Sequence, residues 1–280
     1  MTFNETTQER DGLSKKEVDE VRSLIDRCRP VDVNIILDAS EGHQFLRYEA
    51  NTLVGVLGLR HDGEACLCVA PVARRKGIGR ALIIAADARL ARKGIGEMNV
   101  ECDASSLEGQ AFLGAMGGTV RNAEFRLRLS SSGALPGAEG MVKLETVGPN
   151  EIASLARMTA RSFGDSIEEK ASQFGGQVGT ARYRFYLARA QGNGVGGIRV
   201  AFYEKETHLT EFHTVPEARR RGYGRDLLIQ VCRTLIDEGK EELVLEVRAD
   251  NEAALQLYRS CGFEIVRRYD FYILPVRTAC

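Results

Sequence analysis

Strand-like apolar runs at 33–37, 44–49, 52–59 and 64–69 give way to an amphipathic helical stretch from Gly77 to about Arg92, and strand character returns at 98–102. Ser14 with Glu17 three residues later predicts a capping box for a helix through about Cys28, ended by Pro30. Residues 125–129 read as the strand that closes this first unit. The stretch 130–140, SSSGALPGAEG, is small, polar and rich in Gly and Pro, which predicts an exposed linker. Beyond it the pattern predicts a strand at 142–147, helices at 150–163 and 167–174, and strands at 183–190, 197–204 and 208–215. A helix at 222–238, a strand at 242–248, a helix at 252–260 and closing strands at 264–266 and 269–274 complete the series. Strands in a run followed by alternating helix and strand imply a mixed sheet with helices on both faces, an α/β architecture.

The chain also repeats itself. Residues 66–118 align without a gap on residues 211–263, at a constant offset of 145 that relates Arg219 to Arg74, Glu246 to Glu101 and Tyr258 to Leu113. A unit of that length is too long for a solenoid repeat and suits a duplicated domain. The expected organisation is an N-terminal domain at 1–129, a linker at 130–140 and a C-terminal domain at 141–280.

Composition narrows the possibilities. At 280 residues, each half is large enough to bury its own core. A net charge of −1 with both signs interspersed argues against a nucleic-acid surface. The polar N-terminus and the absence of a long apolar run predict a cytoplasmic protein with no membrane partner. Cysteines 28, 66, 68, 102, 232, 261 and 280 include no C-x-x-C, and histidines 43, 61, 208 and 213 do not join them at zinc spacing. Buried reduced thiols and no metal are expected.

In each copy a strand ends at a Pro, a short basic run follows, and a Gly-x-Gly opens a helix. Gly222 and Gly224 remove side chains where a pyrophosphate would approach the backbone, while the helix N-terminus offers unpaired N–H groups and partial positive charge. Arg219, Arg220, Arg221 and Arg225 add cationic charge around Tyr223, and Arg74, Arg75, Lys76, Gly77, Ile78, Gly79 and Arg80 repeat the arrangement after Val69. This is not a Walker loop, because G-x-x-x-x-G-K-[ST] is absent. Residues 192–197, GNGVGG, read as a hairpin turn rather than a dinucleotide fingerprint.

These residues resemble the GNAT superfamily of acetyl-CoA-dependent N-acetyltransferases, whose [Q/R]-x-x-G-x-[G/A] motif matches Arg219–Gly224 and Arg74–Gly79. The second copy also carries Asn251-x-x-Ala254, Leu257-Tyr258 and Cys261-Gly262-Phe263. The resemblance implies two tandem GNAT-like domains, each a mixed, mostly antiparallel sheet flanked by helices. It implies acetyl-CoA as cosubstrate, with pyrophosphate on the amides of residues 220–225 and the acetyl carbonyl near the amides of Phe212, Thr214 and Val215. The acceptor implied is a primary amine of a small molecule or peptide, attacked directly. Tyr258 stands where the family places the proton donor for the departing thiolate, and Asn251 is expected near the pantetheine, although it also reads as a helix cap. For the base, His208 is the first candidate and Glu211 or His213 the alternatives. Strict alternation would put His208, Thr210, Phe212 and Thr214 on one face and Leu209, Glu211 and His213 on the other. The first copy has Leu113, Ser106 and Gly63 at the positions of Tyr258, Asn251 and His208, so the second copy is expected to be the catalytic one. Whether the first binds coenzyme stays open, and residues 163–179 are expected to choose the acceptor. The competing function is a non-catalytic acyl-CoA-binding or regulatory protein.

Overall fold

The computed structural model describes residues 7–28, 42–60, 62–130, 135–204 and 206–277. The strand expected at 33–37, Pro30, His61 and Cys280 lie outside these residues. The chain divides into two compact units, residues 1–124 with 267–280, and residues 125–266.

In the first unit β1 (Thr7–Arg10) is followed by α1 (Lys15–Cys28), β2 (Gly42–Glu49), β3 (Thr52–Arg60), β4 (Glu64–Val69), α2 (Ile78–Arg92), β5 (Glu97–Asp103) and α3 (Leu107–Ala115). Its sheet runs β1-β2-β3-β4-β5 and is completed by the last strand of the chain, β12 (Glu264–Pro275), which pairs antiparallel with β5 from Tyr269↔Asp103 to Pro275↔Glu97. Among the described residues of this unit, β4 and β5 are parallel neighbours and the other pairs are antiparallel. The Ser14–Glu17 capping box forms as expected, with the Glu17 carboxylate accepting from the Ser14 amide at 2.8 Å. Val21, Leu24, Ile25 and Cys28 then present one buried stripe of α1 to the core. Thr7–Arg10, read from sequence as part of a polar tail, pairs with β2 as an edge strand.

The second unit contains the later part of β6 (Thr119–Ser130), then β7 (Lys143–Thr146), α4 (Ile152–Phe163), α5 (Ile167–Gln177), β8 (Tyr183–Ala190), β9 (Asn193–Phe202), β10 (Thr207–Thr214), α6 (Tyr223–Asp237), β11 (Glu242–Arg248) and α7 (Glu252–Ser260). Its sheet order is β6-β11-β10-β9-β8-β7, with β10 and β11 parallel. The turn at Gln191 and Gly192 takes positive φ and joins β8 to β9 as a hairpin.

Each unit thus receives its closing strand from the other copy of the repeat. Residues 125–129 were expected to close the first unit, but Leu127 and Leu129 are buried in the second core; Tyr272 and Leu274, near the chain end, are buried in the first. Part of the expected linker is also tied down. The buried Asp226 carboxylate, in the first turn of α6, accepts the amides of Glu139 (2.7 Å), Gly140 (3.2 Å) and Val142 (3.0 Å). Burial pushes the Asp226 pKa up, but these amides and Gln230 outweigh that and hold it below the ordinary value. The six described cysteines are free and buried, and no helix among the described residues is long and apolar enough to cross a membrane.

Candidate active site

The two cradles share one backbone design. After β4 comes a single 3-10 turn, Pro71–Ala73; Arg74 is extended, and Arg75 and Gly77 take φ of 64° and 82° before α2 begins. After β10 the same path runs through Pro216–Ala218 and extended Arg219, with Arg220 and Gly222 at φ of 59° and 83°. A left-handed glycine at the N-cap supplies no side-chain acceptor, so the first amides of the helix stay available to an anion. Among the described residues, the amides of Arg220, Arg221, Gly222, Tyr223 and Gly224 have no backbone acceptor. Arg219 is pinned by its Nε to Thr214 O at 3.1 Å and Arg74 by the same bond to Val69 O at 3.1 Å. Part of the charge is already paired, since Arg74 meets Glu108, Lys76 meets Glu49 and Arg225 meets Glu139. At Gly224 a Cβ would lie 2.8 Å from Thr214 Oγ1, so a side chain there would collide with the strand end.

The strands that feed the cradles differ. β4 pairs with β3 without interruption from Leu59↔Ala65 to Gly55↔Val69. β10 slips register on β9 between Thr210↔Arg199 and His213↔Gly197, so Glu211 and Phe212 together oppose Ile198, and Glu211 takes φ of 52°. This is a β-bulge, and it overturns the strict alternation expected along the strand. Phe212 turns to Tyr258, with ring centroids 5.8 Å apart, and Thr214 turns to Gly224. Thr210 accepts from Arg199 Nε at 2.9 Å, Glu211 pairs with Lys170 of α5 at 2.7 Å, and His213 meets the edge of Phe163 at 6.1 Å. Thr210 and His213 therefore share a face, because one extra residue shifts the parity by one.

Among the described residues β10 and β11 pair at Thr207↔Leu243 and His208↔Val244, as β4 and β5 do at Glu64↔Asn99 and Ala65↔Val100. Beyond that point a cavity of about 150 Å³ opens between them, with His208, Thr210, Glu211, Val244 and Glu246 among its walls. In the first unit Glu64 pairs with Asn99, the repeat equivalent of Val244. By register, then, the counterpart of His208 is Glu64 rather than Gly63, because the ungapped alignment does not account for the bulge. Burial raises the Glu64 pKa.

Tyr258 is 6% exposed and lies between Phe212 and Phe263. Burial, with Cys261 adding to it, pushes its phenol well above the usual tyrosine value, so the hydroxyl keeps its proton at neutral pH. Leu113 is buried at the equivalent place. Asn251 caps α7 by accepting from the Ala254 amide at 3.2 Å, and Ser106 caps α3 through the Gly109 amide at 3.2 Å. The Asn/Ser difference is thus matched by one structural job in both copies. Val215 cannot offer its amide as expected, because that N–H donates to Val195 O at 3.0 Å. Val69 and Ile78 lie at the equivalent strand end and helix start of the first unit, and Arg80 lies in the first turn of α2.

His208 does not stand beside Tyr258. Its Nε2 lies 3.2 Å from Glu206 Oε2 and 3.5 Å from Arg126 Nη2, and its ring packs at 4.6 Å on Tyr203. The buried Arg126 guanidinium also contacts Glu206 and reaches Glu246 Oε1 at 3.3 Å. The His208 hydrogen bond and, against the opposing effect of burial, the Arg126 charge hold the Glu206 carboxyl below its usual value. His213 Nδ1 donates to Glu211 O at 2.9 Å, and burial lowers the ring's pKa, which favours its neutral form. Two residues were missed in the sequence. Glu246 is matched by Glu101 in the repeat, a retained carboxylate overshadowed by positions where the copies differ. Arg126 precedes the linker, so nothing in the sequence tied it to the second copy.

A tandem α/β fold with a phosphate cradle, a bulged strand and a splayed parallel pair defines an acyl-CoA-type transferase scaffold. The acetyltransferase (GNAT) family matches residues 11–117 and 152–263, and the chain belongs to that family. Mycothiol acetyltransferase of Mycolicibacterium smegmatis is 27% identical over 295 residues, covering 93% of this chain and 96% of the relative. The N-alpha-acetyltransferase RimI of Mycobacterium tuberculosis is 50% identical over 66 residues, covering 21% of this chain and 39% of the relative. A tandem GNAT protein from the clavulanic acid biosynthesis pathway has the same fold, with a TM-score of 0.75 at 19% identity over 98% of this chain and 100% of that one. The protein is an N-acetyltransferase built from two GNAT regions.

Proposed function

We propose that the second unit transfers acetyl from acetyl-CoA to a primary amine of a small molecule or peptide by direct attack, and that the first unit is catalytically silent. The observation that carries this reading is the difference at the strand before the cradle: β10 has a bulge that turns Phe212 to the buried Tyr258, whereas β4 pairs with β3 without interruption and Leu113 stands at the tyrosine's place. The coenzyme supplies an activated thioester. The amides of residues 220–224 and the guanidinium groups of Arg219, Arg220, Arg221 and Arg225 would hold its pyrophosphate, and the gap between β10 and β11 would take the pantetheine. His208 or Glu246, both on the cavity wall, accepts the proton of the incoming ammonium directly or through water, and Tyr258 returns a proton to the thiolate. Backbone N–H groups at the bulge, from Phe212 and its neighbours, suit a developing oxyanion.

The acceptor enters from the α4–α5 side, where Asp165, Glu169, Lys170 and Gln173 border a second depression and Phe163 and Ile167 are exposed. Relatives named for mycothiol and for protein α-amines support a primary amine as acceptor. Thiol release from acetyl-CoA, measured across amino acids, amino sugars, polyamines and peptide N-termini, tests the reading. Tight coenzyme binding with no thiol release for any amine would leave the protein a binder and defeat it.

A further inference from the structure

Arg126 has no role in the repeat's shared chemistry, yet it is one of the few buried cations in the second unit. It is 7% exposed on β6, in the segment that precedes the linker. Its Nη1 lies 3.3 Å from Glu246 on β11, and its Nη2 contacts Glu206 and lies 3.5 Å from His208 on β10. Glu246 and His208 are on opposite walls of the cavity between β10 and β11. A single planar cation therefore touches a group on each wall, and the fork geometry of guanidinium suits such bridging in a way that a lysine ammonium does not.

We propose that Arg126 is a positioning residue for acetyl transfer: it fixes the aim of both proton acceptors, and it reaches the second unit only because the strand before the linker joins that unit's sheet. This inference rests on the proposed function of the second unit. The reciprocal position in the first unit argues the same way. At the repeat offset of 145, Arg126 corresponds to Phe271, and Phe271 pairs directly opposite Glu101, the equivalent of Glu246. The first unit keeps the carboxylate and has a phenyl ring where the second has the guanidinium. The carboxylate by itself does not distinguish the two units; the arginine does.

Full-length R126Q and R126K, assayed with acetyl-CoA and an accepted amine, provide the test. R126Q is expected to lower kcat by roughly 10- to 100-fold, part of the contribution of a well-aimed proton acceptor, with the KM for acetyl-CoA unchanged. R126K should fall between R126Q and wild type, and free guanidinium added to R126Q should restore part of the lost rate. A folded R126Q with wild-type kcat overturns the proposal, as does a loss that guanidinium leaves untouched and R126K shares in full. Should R126Q lack a native melting transition, R126K decides: reduced kcat with a wild-type melting point supports the role, and wild-type kcat refutes it. Wild-type turnover with unaffected variants refutes the positioning role alone, whereas a wild type silent with every amine overturns the functional reading and this inference together.

Discussion

The two units share a cradle and differ in the strand that leads to it. Arg75 and Arg220, and Gly77 and Gly222, adopt the same left-handed conformations at the same places, so the sequence cost of a phosphate-shaped loop has been met twice. One extra residue at Glu211 and Phe212 separates the strands. The bulge turns Phe212 toward Tyr258 and sends Glu211 to Lys170, whereas the parting of the parallel pair is common to both units: among the described residues β10–β11 and β4–β5 each pair at two positions. The first unit, with an unbroken β4 and Leu113 in place of the phenol, keeps the loop without the bulge or the tyrosine. A loop geometry can therefore persist in both copies of a duplicated domain while the strand that feeds it diverges.

The sharpest way to break that comparison is at the glycines. Gly224→Val places a side chain against Thr214 and should abolish turnover through loss of coenzyme binding. Gly79→Val, whose first carbon would meet the Phe112 ring at 3.1 Å, should leave turnover near wild type. Calorimetry and thiol release on both variants check this, and equal losses would erase the asymmetry. Next in size, Tyr258→Phe should retain coenzyme affinity and lose roughly 10- to 1,000-fold in kcat. Leu113→Ala should cost about 2–5 kcal/mol of stability by opening a cavity while leaving kcat unchanged. Arg219→Ala releases the contacts to Thr214 O and Ser162 O and should raise the KM for coenzyme about tenfold, the order expected for one charged hydrogen-bonding group. Arg74→Ala should not change it.

The smallest effect on activity is expected at the linker anchor. Asp226→Asn should cost about 1–3 kcal/mol at neutral pH, because a buried carboxylate that accepts three amides loses part of its bonding. The native pKa of Asp226 is lowered, so its contribution is present above the ordinary aspartate value of about 4 and fades as pH falls through the native value. Denaturant melts of both proteins should converge in acid; a gap that persists there would assign the loss to packing.

Much of this was legible in the chain. The capping box at Ser14 and Glu17, both cradles, and the helices and strands between 142 and 260 follow from local signals that the structure retains. The bulge was not, because Glu211 is unremarkable in sequence and its positive φ is imposed by the pairing of β10 with β9. Once alternation is broken, face assignments made by counting fail, which is why Thr210 and His213 share a face and why Glu64 takes the place given to Gly63. The cap read at Asn251 forms, since its side chain accepts from the Ala254 amide at 3.2 Å. Arg126 escaped notice because strand exchange is a long-range pairing with no local mark.

That exchange also sets the order in which the chain can finish folding. The β5 edge of the first unit finds its neighbour in residues 269–275, so during synthesis it must wait until both copies of the repeat have emerged. The second unit has its borrowed strand, β6, in hand before any of its own strands are made. The pairing of Tyr269 with Asp103 spans most of the chain and raises contact order where formation is slowest. On the ribosome the first unit is completed after the second, and a cut before residue 269 should first expose an unpaired edge in the unit whose other strands lie farthest from the cut in sequence.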